Sequence, residues 1–438
     1  MRTAAISSRL HGMSSRILVV GSGGREHALA WRLAQDPGAP EVVVAPGNDG
    51  IARTFRCLAV RDTDPAAVVE LARREQVSLV VVGPEAPLAA GVSDALVAAG
   101  IPVSGASQAG ARLEASKWFA KQVMLEAAVP TAHAESFERT ADALGALSRF
   151  GPPWVVKADG LAAGKGVLVT SSHAEAAAFV RDCLQGGRFG DGGRRVVIEE
   201  HLTGEEASVL AVCDGERHVL LPAARDYKRA SEHDQGPNTG GMGSFAPTPG
   251  VTAVVEQRVS EQVITPVLRA MAARGTPYRG TLYAGLMLTE AGPRVIEFNA
   301  RFGDPETQSV LPLTGGSLGE LLASAARGHL EPGAISRLPG AAVTVALVDS
   351  GYPDTVQGSG TIGGLDALAG VQVFHAGTRF EDGEWRVRGG RAAYLTAVAD
   401  QLEEARDRVY RAAASLSGRG WRCRTDVAAG VSQSTRVR

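Results

Sequence analysis

Three short apolar runs, RILVV from Arg16, EVVVA from Glu41 and LVVV from Leu79, constrain this chain more than any other feature. Each is followed by a joint rich in Gly or Pro and then by an amphipathic stretch. Apolar runs without polar alternation are strands covered on both faces, and the interleaved amphipathic segments supply the crossover helices of a parallel sheet. The pattern predicts helices from about Glu26 to Gln35 and from about Pro65 to Arg74, in a first α/β domain that ends near Arg112.

The chain has 438 residues, more than one hydrophobic core usually serves, so further units are expected. A helix carrying Lys117, Trp118, Phe119 and Val123 comes next, and the pattern then changes to WVVKA, a Gly-rich bend and VLVTS, which reads as a hairpin. A helix from Ala174 to Leu184, the stretch GGRFGDGGRR and a buried strand VVIEE complete a small unit able to move as a lid. Strands ASVLAVC and HVLLPA lead into a long loop from Arg225 to Pro249, a helix from about Val254 to Ala273, and the strand pair TLYAGLML and RVIEF. Residues from about Arg327 to Pro339 read as a joint before the strands AAVTVAL, VQVFHA and AAYLTAVA and a helix from Leu402 to Leu416. The expected division is a disordered tail or over-called start at 1–12, an N-terminal substrate domain at 13–112, a central domain at 113–327 with its lid at about 128–198, and a C-terminal mixed domain at 328–438.

Charge narrows the partners. Lys plus Arg (45) nearly balances Asp plus Glu (47), so no global field favours nucleic acid or an anionic membrane. No apolar run approaches the roughly 20 residues of a membrane span, and a soluble chain is expected. Cys57, Cys183, Cys213 and Cys423 form no C-x-x-C pair, which argues against structural zinc and a disulfide framework and for buried small apolar roles. His27, His201, His233 and His375 lack metal-ligand spacing and read as structural or surface residues.

Any anion site must then be local. The turn Gly21-Ser22-Gly23-Gly24-Arg25-Glu26 follows a buried strand and opens a helix, where free N–H groups and the dipole suit a phosphate. As a dinucleotide fingerprint it fails: Glu26 stands at the third Gly position, and the next strand ends in Ala45-Pro46 without an acid for ribose. The loops at Asn48 and at Gly83-Pro84-Glu85 should open at the same carboxyl edge of the sheet. Gly160-x-x-x-Gly164-Lys165-Gly166 is one residue short of a Walker A loop, no Ser or Thr follows Lys165, and strands flank it on both sides. A Gly-rich hairpin tip, with Lys157 on the adjoining strand, could instead fold over a triphosphate. Glu199, Glu200, Glu205 and Glu206 suit neutral donors such as adenosine hydroxyls. Glu297 and Asn299, at i and i+2 of a strand, face one side and could jointly offer oxygen ligands to Mg²⁺. Polar residues Asp226, Lys228 and Arg229 and the loop from Gly236 to Gly243 have little to pack, which marks a segment that either binds a ligand or is disordered.

Seven strings in order, GSGGREHALAW, APGNDG, VVGPEAPLAAG, VVKADGLAAGKGV, VIEEHLTGEEAS, QGPNTGGMG and VIEFNARFGDPETQ, resemble glycinamide ribonucleotide synthetase over nearly the whole chain from Met13. The resemblance implies an α/β (α+β overall) ATP-grasp fold: an N-terminal parallel α/β domain, a central ATP-grasp domain with a mobile lid, and a C-terminal mixed domain. It implies ATP-dependent joining of glycine to 5-phosphoribosylamine, with Mg²⁺ or Mn²⁺, in the second step of de novo purine biosynthesis. It assigns ATP to Lys117, Lys157, Gly164, Lys165, Gly166, Glu199, Glu200, Leu202 and Glu206, and the metal to Glu297 and Asn299. Gly23, Gly24, Arg25, Glu26, Asn48 and Glu85 would surround phosphoribosylamine, Asp226 and Arg301 would hold glycine by its amine and carboxylate, and Lys228 would bind substrate beside them. Lys117, Lys157 and Arg301 would offset charge on the transferring phosphoryl group. The chain departs from many ATP-grasp relatives in one respect, since YAGLML carries no second metal-binding carboxylate. The expected partners are the two substrates, with no nucleic acid or membrane, the compartment implied is the cytoplasm, and the expected state is a monomer or weak homo-oligomer. Another carboxylate–amine or carboxylate–carbonate ligase, a dinucleotide-dependent oxidoreductase and a non-catalytic nucleotide sensor are the competing readings.

Overall fold

The structure, a computed structural model, describes residues 15–161, 166–187 and 190–431. The expected tail at 1–12 lies outside them, as do Gly164 and Lys165.

The apolar runs pair as their composition demands. Strands Arg16–Gly21, Glu41–Pro46, Arg56–Cys57, Leu79–Val82 and Val103–Ser104 form a five-stranded sheet, and every pairing in it is parallel. The first strand lies in the middle, between Glu41–Pro46 and Leu79–Val82. Crossovers therefore leave it toward opposite sides, and the crevice outside its carboxyl end is the topological switch point where α/β sheets bind ligands. Helix Gly24–Leu33 starts two residues earlier than the periodicity suggests, because Gly23 serves as its N-cap and Glu26 Oε2 accepts the Gly23 N–H at 2.6 Å.

A small unit follows, with strands in the order Ala134–Phe137, Val196–Glu199, Trp154–Ala158, Val167–Thr170, all antiparallel. Helices Thr140–Phe150 and His173–Leu184 cover it and complete a separate core of Leu147, Trp154, Val156, Phe179 and Ile198. The hairpin expected from WVVKA and VLVTS is present, with Lys157 opposite Val167.

The body of the central domain is an antiparallel sheet ordered His218–Leu220, Glu205–Asp214, Arg279–Thr289, Gly292–Asn299. Alternation along these strands sorts their side chains. Val209, Ala211, Leu282, Ala284, Val295 and Phe298 point into the largest core, whereas Glu206, Tyr283, Glu297 and Asn299 face a cleft.

The segment expected to be a long loop from Arg225 to Pro249 is partly strand. Gly243–Ala246 pairs with Ala341–Asp349, and Arg225–Asp226 pairs with Gly243–Ala246, at the edge of a sheet continued by Arg391–Ala399 and Gln372–His375. Gly243-Ser244-Phe245-Ala246 has too little apolar periodicity to announce a strand; its register comes from a partner about a hundred residues away. This sheet crosses the expected boundary at 327 and makes one body of central and C-terminal residues. The presumed joint also contributes a strand, Ile335–Arg337, which pairs with Thr314–Gly316. None of the four cysteines is in a disulfide; Cys183 and Cys213 are buried, whereas Cys57 and Cys423 are half-buried. Among the described residues no helix is long and apolar enough to cross a membrane.

Candidate active site

One cleft of about 1010 Å³ runs from the switch point of the parallel sheet, past the small four-stranded unit, to the C-terminal sheet. Gly23, Arg25, Glu26, Glu85, Lys117, Lys157, Gly166, Glu199, Glu200, Leu202, Glu206, Asp226, Lys228, Glu297, Asn299 and Arg301 all line it. Gly24 and Asn48 do not. Asn48 donates to the carbonyls of Ser22 at 2.7 Å and His375 at 3.1 Å and accepts from Ile51 N, so its amide ties two loops and the C-terminal domain together.

At the switch point the helix N-terminus is less open to a phosphate than its sequence suggests. Glu26 takes the Gly23 N–H with one oxygen and meets Arg25 Nε at 2.5 Å with the other. Arg25 also reaches the Phe302 carbonyl at 3.3 Å. An anion here would meet a guanidinium already paired with a carboxylate and would compete with Glu26 for Arg25. The packing leaves no choice of residue opposite: a Cβ on Gly83 would lie 2.0 Å from Glu26 Oε1.

Cations and acids alternate through the middle of the cleft. Lys117 begins a helix and reaches Glu297 Oε2 at 2.9 Å. Burial disfavours charge on Glu297, but Lys117, Lys228 and Lys157 outweigh it and hold the carboxyl at about 2. Burial opposes charge on Lys117 as well, and Glu297 reverses that and raises it. Lys157 pairs with Glu199 Oε2 at 2.9 Å and donates to the Ile296 carbonyl at 3.0 Å, which answers how a lysine survives inside WVVKA. The second oxygen of Glu199 faces Lys121 at 3.3 Å. Glu200 accepts from Arg294 at 2.7 Å and from His133 N at 3.0 Å.

Toward the C-terminal sheet, Lys228 bridges Glu206 at 2.9 Å and Asp226 at 2.8 Å. Burial pushes the Asp226 carboxyl up against the pull of Lys228. Arg301 lies between Glu114 at 2.8 Å and Glu85 at 3.3 Å. Burial works against its charge, yet Glu114 and Glu85 keep the guanidinium above its ordinary range. The chain through Glu114 continues to the backbone, where its other oxygen accepts from Ala300 N at 2.9 Å.

The donor set for a metal fits Mg²⁺ or Mn²⁺. Glu297 and Asn299 present a carboxylate and an amide oxygen on one face of a strand, and hard cations of this size combine one or two protein oxygens with phosphates and water. Gly285 stands opposite Glu297 and adds no ligand, as the absent carboxylate in YAGLML implies. Among the described residues no group of three His, Cys, Asp or Glu side chains is placed to hold a metal, so nucleotide phosphates would have to complete the shell.

Several lining residues carried no readable signal. Glu114 sits in an ordinary helical turn, and Tyr283 in an apolar strand. Arg391 comes from the far C-terminal domain, yet it donates to the Asp304 carbonyl at 3.0 Å, pairs with the Asp304 carboxylate at 3.1 Å and holds the Gly240 carbonyl. His27 and His375 are structural, as expected: His27 Nδ1 accepts the His375 N–H at 2.9 Å, and burial lowers the two rings to about 3 and about 4.

Comparison with known proteins supplies the remaining findings. The N domain of phosphoribosylglycinamide synthetase matches residues 15–114, its ATP-grasp (A) domain 115–307 and its C domain 342–430. A phosphoribosylamine–glycine ligase of Caulobacter vibrioides is 48% identical over 415 residues, covering 94% of this chain and 97% of its own. The enzyme of that name from Escherichia coli K12 is 44% identical over 418 residues, with the same coverage. The crystal structure of phosphoribosylamine–glycine ligase from Thermotoga maritima superposes with a TM-score of 0.81 at 34% identity, covering 94% of this chain and all (100%) of the other. The biotin carboxylase domain of Hydrogenobacter thermophilus 2-oxoglutarate carboxylase shares the fold, with a TM-score of 0.70 at 18% identity over 94% of this chain and 92% of its own.

Proposed function

The chain belongs to the phosphoribosylglycinamide synthetase family, and on that premise we propose that it joins glycine to 5-phosphoribosylamine with ATP, through glycyl phosphate. It is an ATP-grasp ligase of purine biosynthesis. The observation that carries the reading is the convergence of Lys117, Lys157, Arg301, Glu297 and Asn299 in one cleft that begins at the switch point of the N-terminal sheet.

A carboxylate is a poor acylating agent, so ATP must activate it first. A glycine carboxylate oxygen attacks the γ-phosphorus and ADP leaves; the amine nitrogen of phosphoribosylamine then attacks the glycyl carbon, and phosphate departs with that oxygen. Both steps depend on positioning and charge neutralisation more than on covalent help from the protein. Lys117 and Lys157 face the phosphates: Lys117 exchanges its contact with Glu297 for a phosphate contact when nucleotide enters, and Lys157 offers the N–H that Glu199 and Ile296 leave over. Glu297 and Asn299 would hold Mg²⁺ or Mn²⁺, which supplies further neutralisation of the phosphates. Glu199, Glu200, Leu202 and Glu206 line the nucleoside end, and Asp226, Lys228 and Arg301 orient glycine. Arg25, Gly23, Glu26 and Glu85 form the cradle for the sugar phosphate. The four-stranded unit, with its own core, is built to close and exclude water, which would otherwise hydrolyse the acyl phosphate. Such metabolites and a chain of balanced charge suit a cytoplasmic monomer or weak oligomer that meets no nucleic acid or membrane.

Isotope transfer tests the intermediate. Glycine labelled with ¹⁸O in its carboxylate should pass one label to the released phosphate. Unlabelled phosphate would refute an acyl phosphate.

A further inference from the structure

Lys121 is absent from the cleft wall, yet it is buried more deeply than Lys117 on the same helix, with 1% of its side chain exposed against 16%. An ammonium in such a place survives only when its donors are met. They are: Nζ donates to Thr131 Oγ1 at 2.8 Å and the Ala132 carbonyl at 3.2 Å and faces Glu199 Oε1 at 3.3 Å. Glu199 is nearly as dry, with 4% of its side chain exposed, and its other oxygen holds Lys157 at 2.9 Å. Lys157 spends a second N–H on the Ile296 carbonyl, which leaves one for the cleft that it lines.

We propose that Lys121 is a positioning residue for the nucleotide phosphates: by engaging one oxygen of Glu199, it keeps that carboxylate from closing on Lys157 with both. Without Lys121, Glu199 is free to chelate Lys157 with both oxygens, and the remaining N–H turns away from the cleft. In a dry region a misdirected N–H costs a charge-assisted contact that water does not replace. The inference rests on the proposed nucleotide site.

Binding of ADP to the full-length protein, measured by calorimetry for wild type, Lys121→Met, Glu199→Gln and the double variant, separates the two claims. Wild type that binds no ADP would overturn the proposed function. Granted that binding, Lys121→Met should weaken it by about tenfold or more while the KM for glycine stays within about threefold. In the Glu199→Gln background, where no carboxylate is left to restrain, Lys121→Met should change ADP affinity by less than about threefold. This second comparison stands even if the single variant fails to fold. Equal ADP affinity in a folded Lys121→Met protein, or a loss of equal size in both backgrounds, would overturn the role of Lys121.

Discussion

Lys117 Nζ and Glu297 Oε2 meet at 2.9 Å across the seam between the first turn of a helix and the last turn-facing end of a strand. With Lys117 proposed for phosphate and Glu297 for metal, both ligands would compete with this contact. Glu297, held at about 2, stays ionised at any working pH and is available to a cation without a titration step. Glu297→Gln should lower kcat by roughly 10²- to 10³-fold and raise the Mg²⁺ concentration needed for half-maximal rate. ADP release measured across a Mg²⁺ titration checks both, and an unchanged Mg²⁺ requirement would remove Glu297 from the metal site.

Gly83 faces Glu26 so closely that an added methyl would stand 2.0 Å from Oε1. Gly83→Ala should push Glu26 off Gly23 N and Arg25, and thereby raise the KM for phosphoribosylamine while the KM for ATP holds. Steady-state kinetics with each substrate varied in turn would show it. Equal increases for all substrates would point to general loosening instead.

Asp226 lies beside Lys228 at the end of the cleft assigned to glycine. Asp226→Asn keeps the shape and removes the charge. A lost charged hydrogen bond predicts a KM for glycine higher by on the order of 10- to 100-fold, with nucleotide affinity little changed. An unaltered KM for glycine would reassign this corner.

The contact of His27 with His375 joins the first helix to the C-terminal sheet and should make stability depend on pH. Burial holds the folded rings neutral down to about 3 and about 4, whereas an unfolded histidine takes a proton near 6.5. Their contribution is therefore complete above pH 6.5 and falls as the pH drops toward those folded values. Between pH 6.5 and 5, urea unfolding should report a loss of about 1.4 kcal/mol per histidine for each pH unit. His27→Asn, which retains an acceptor but cannot be protonated in this range, should reduce that slope.

The parallel domain was legible because RILVV, EVVVA and LVVV bury both faces and need no partner's help to be recognised. Glu297 and Asn299 were legible for a related reason: alternation on a strand fixes their common side. Gly243–Ala246 was not, since a strand of small residues takes its register from Ala341–Asp349 and has no pattern of its own. Lys121 and Glu114 look like surface positions of amphipathic helices, and only the fold shows what stands over them. Arg391 was hidden by distance in sequence, since no local spacing relates it to Asp304.

Omission of one substrate at a time tests the central claim most directly. With ATP and Mg²⁺ present, ADP should appear at the full rate only when glycine and freshly generated phosphoribosylamine are both added, and glycinamide ribonucleotide should form in equal amount. ADP release that ignores the amine, or that another carboxylic acid supports as well as glycine does, would contradict the account.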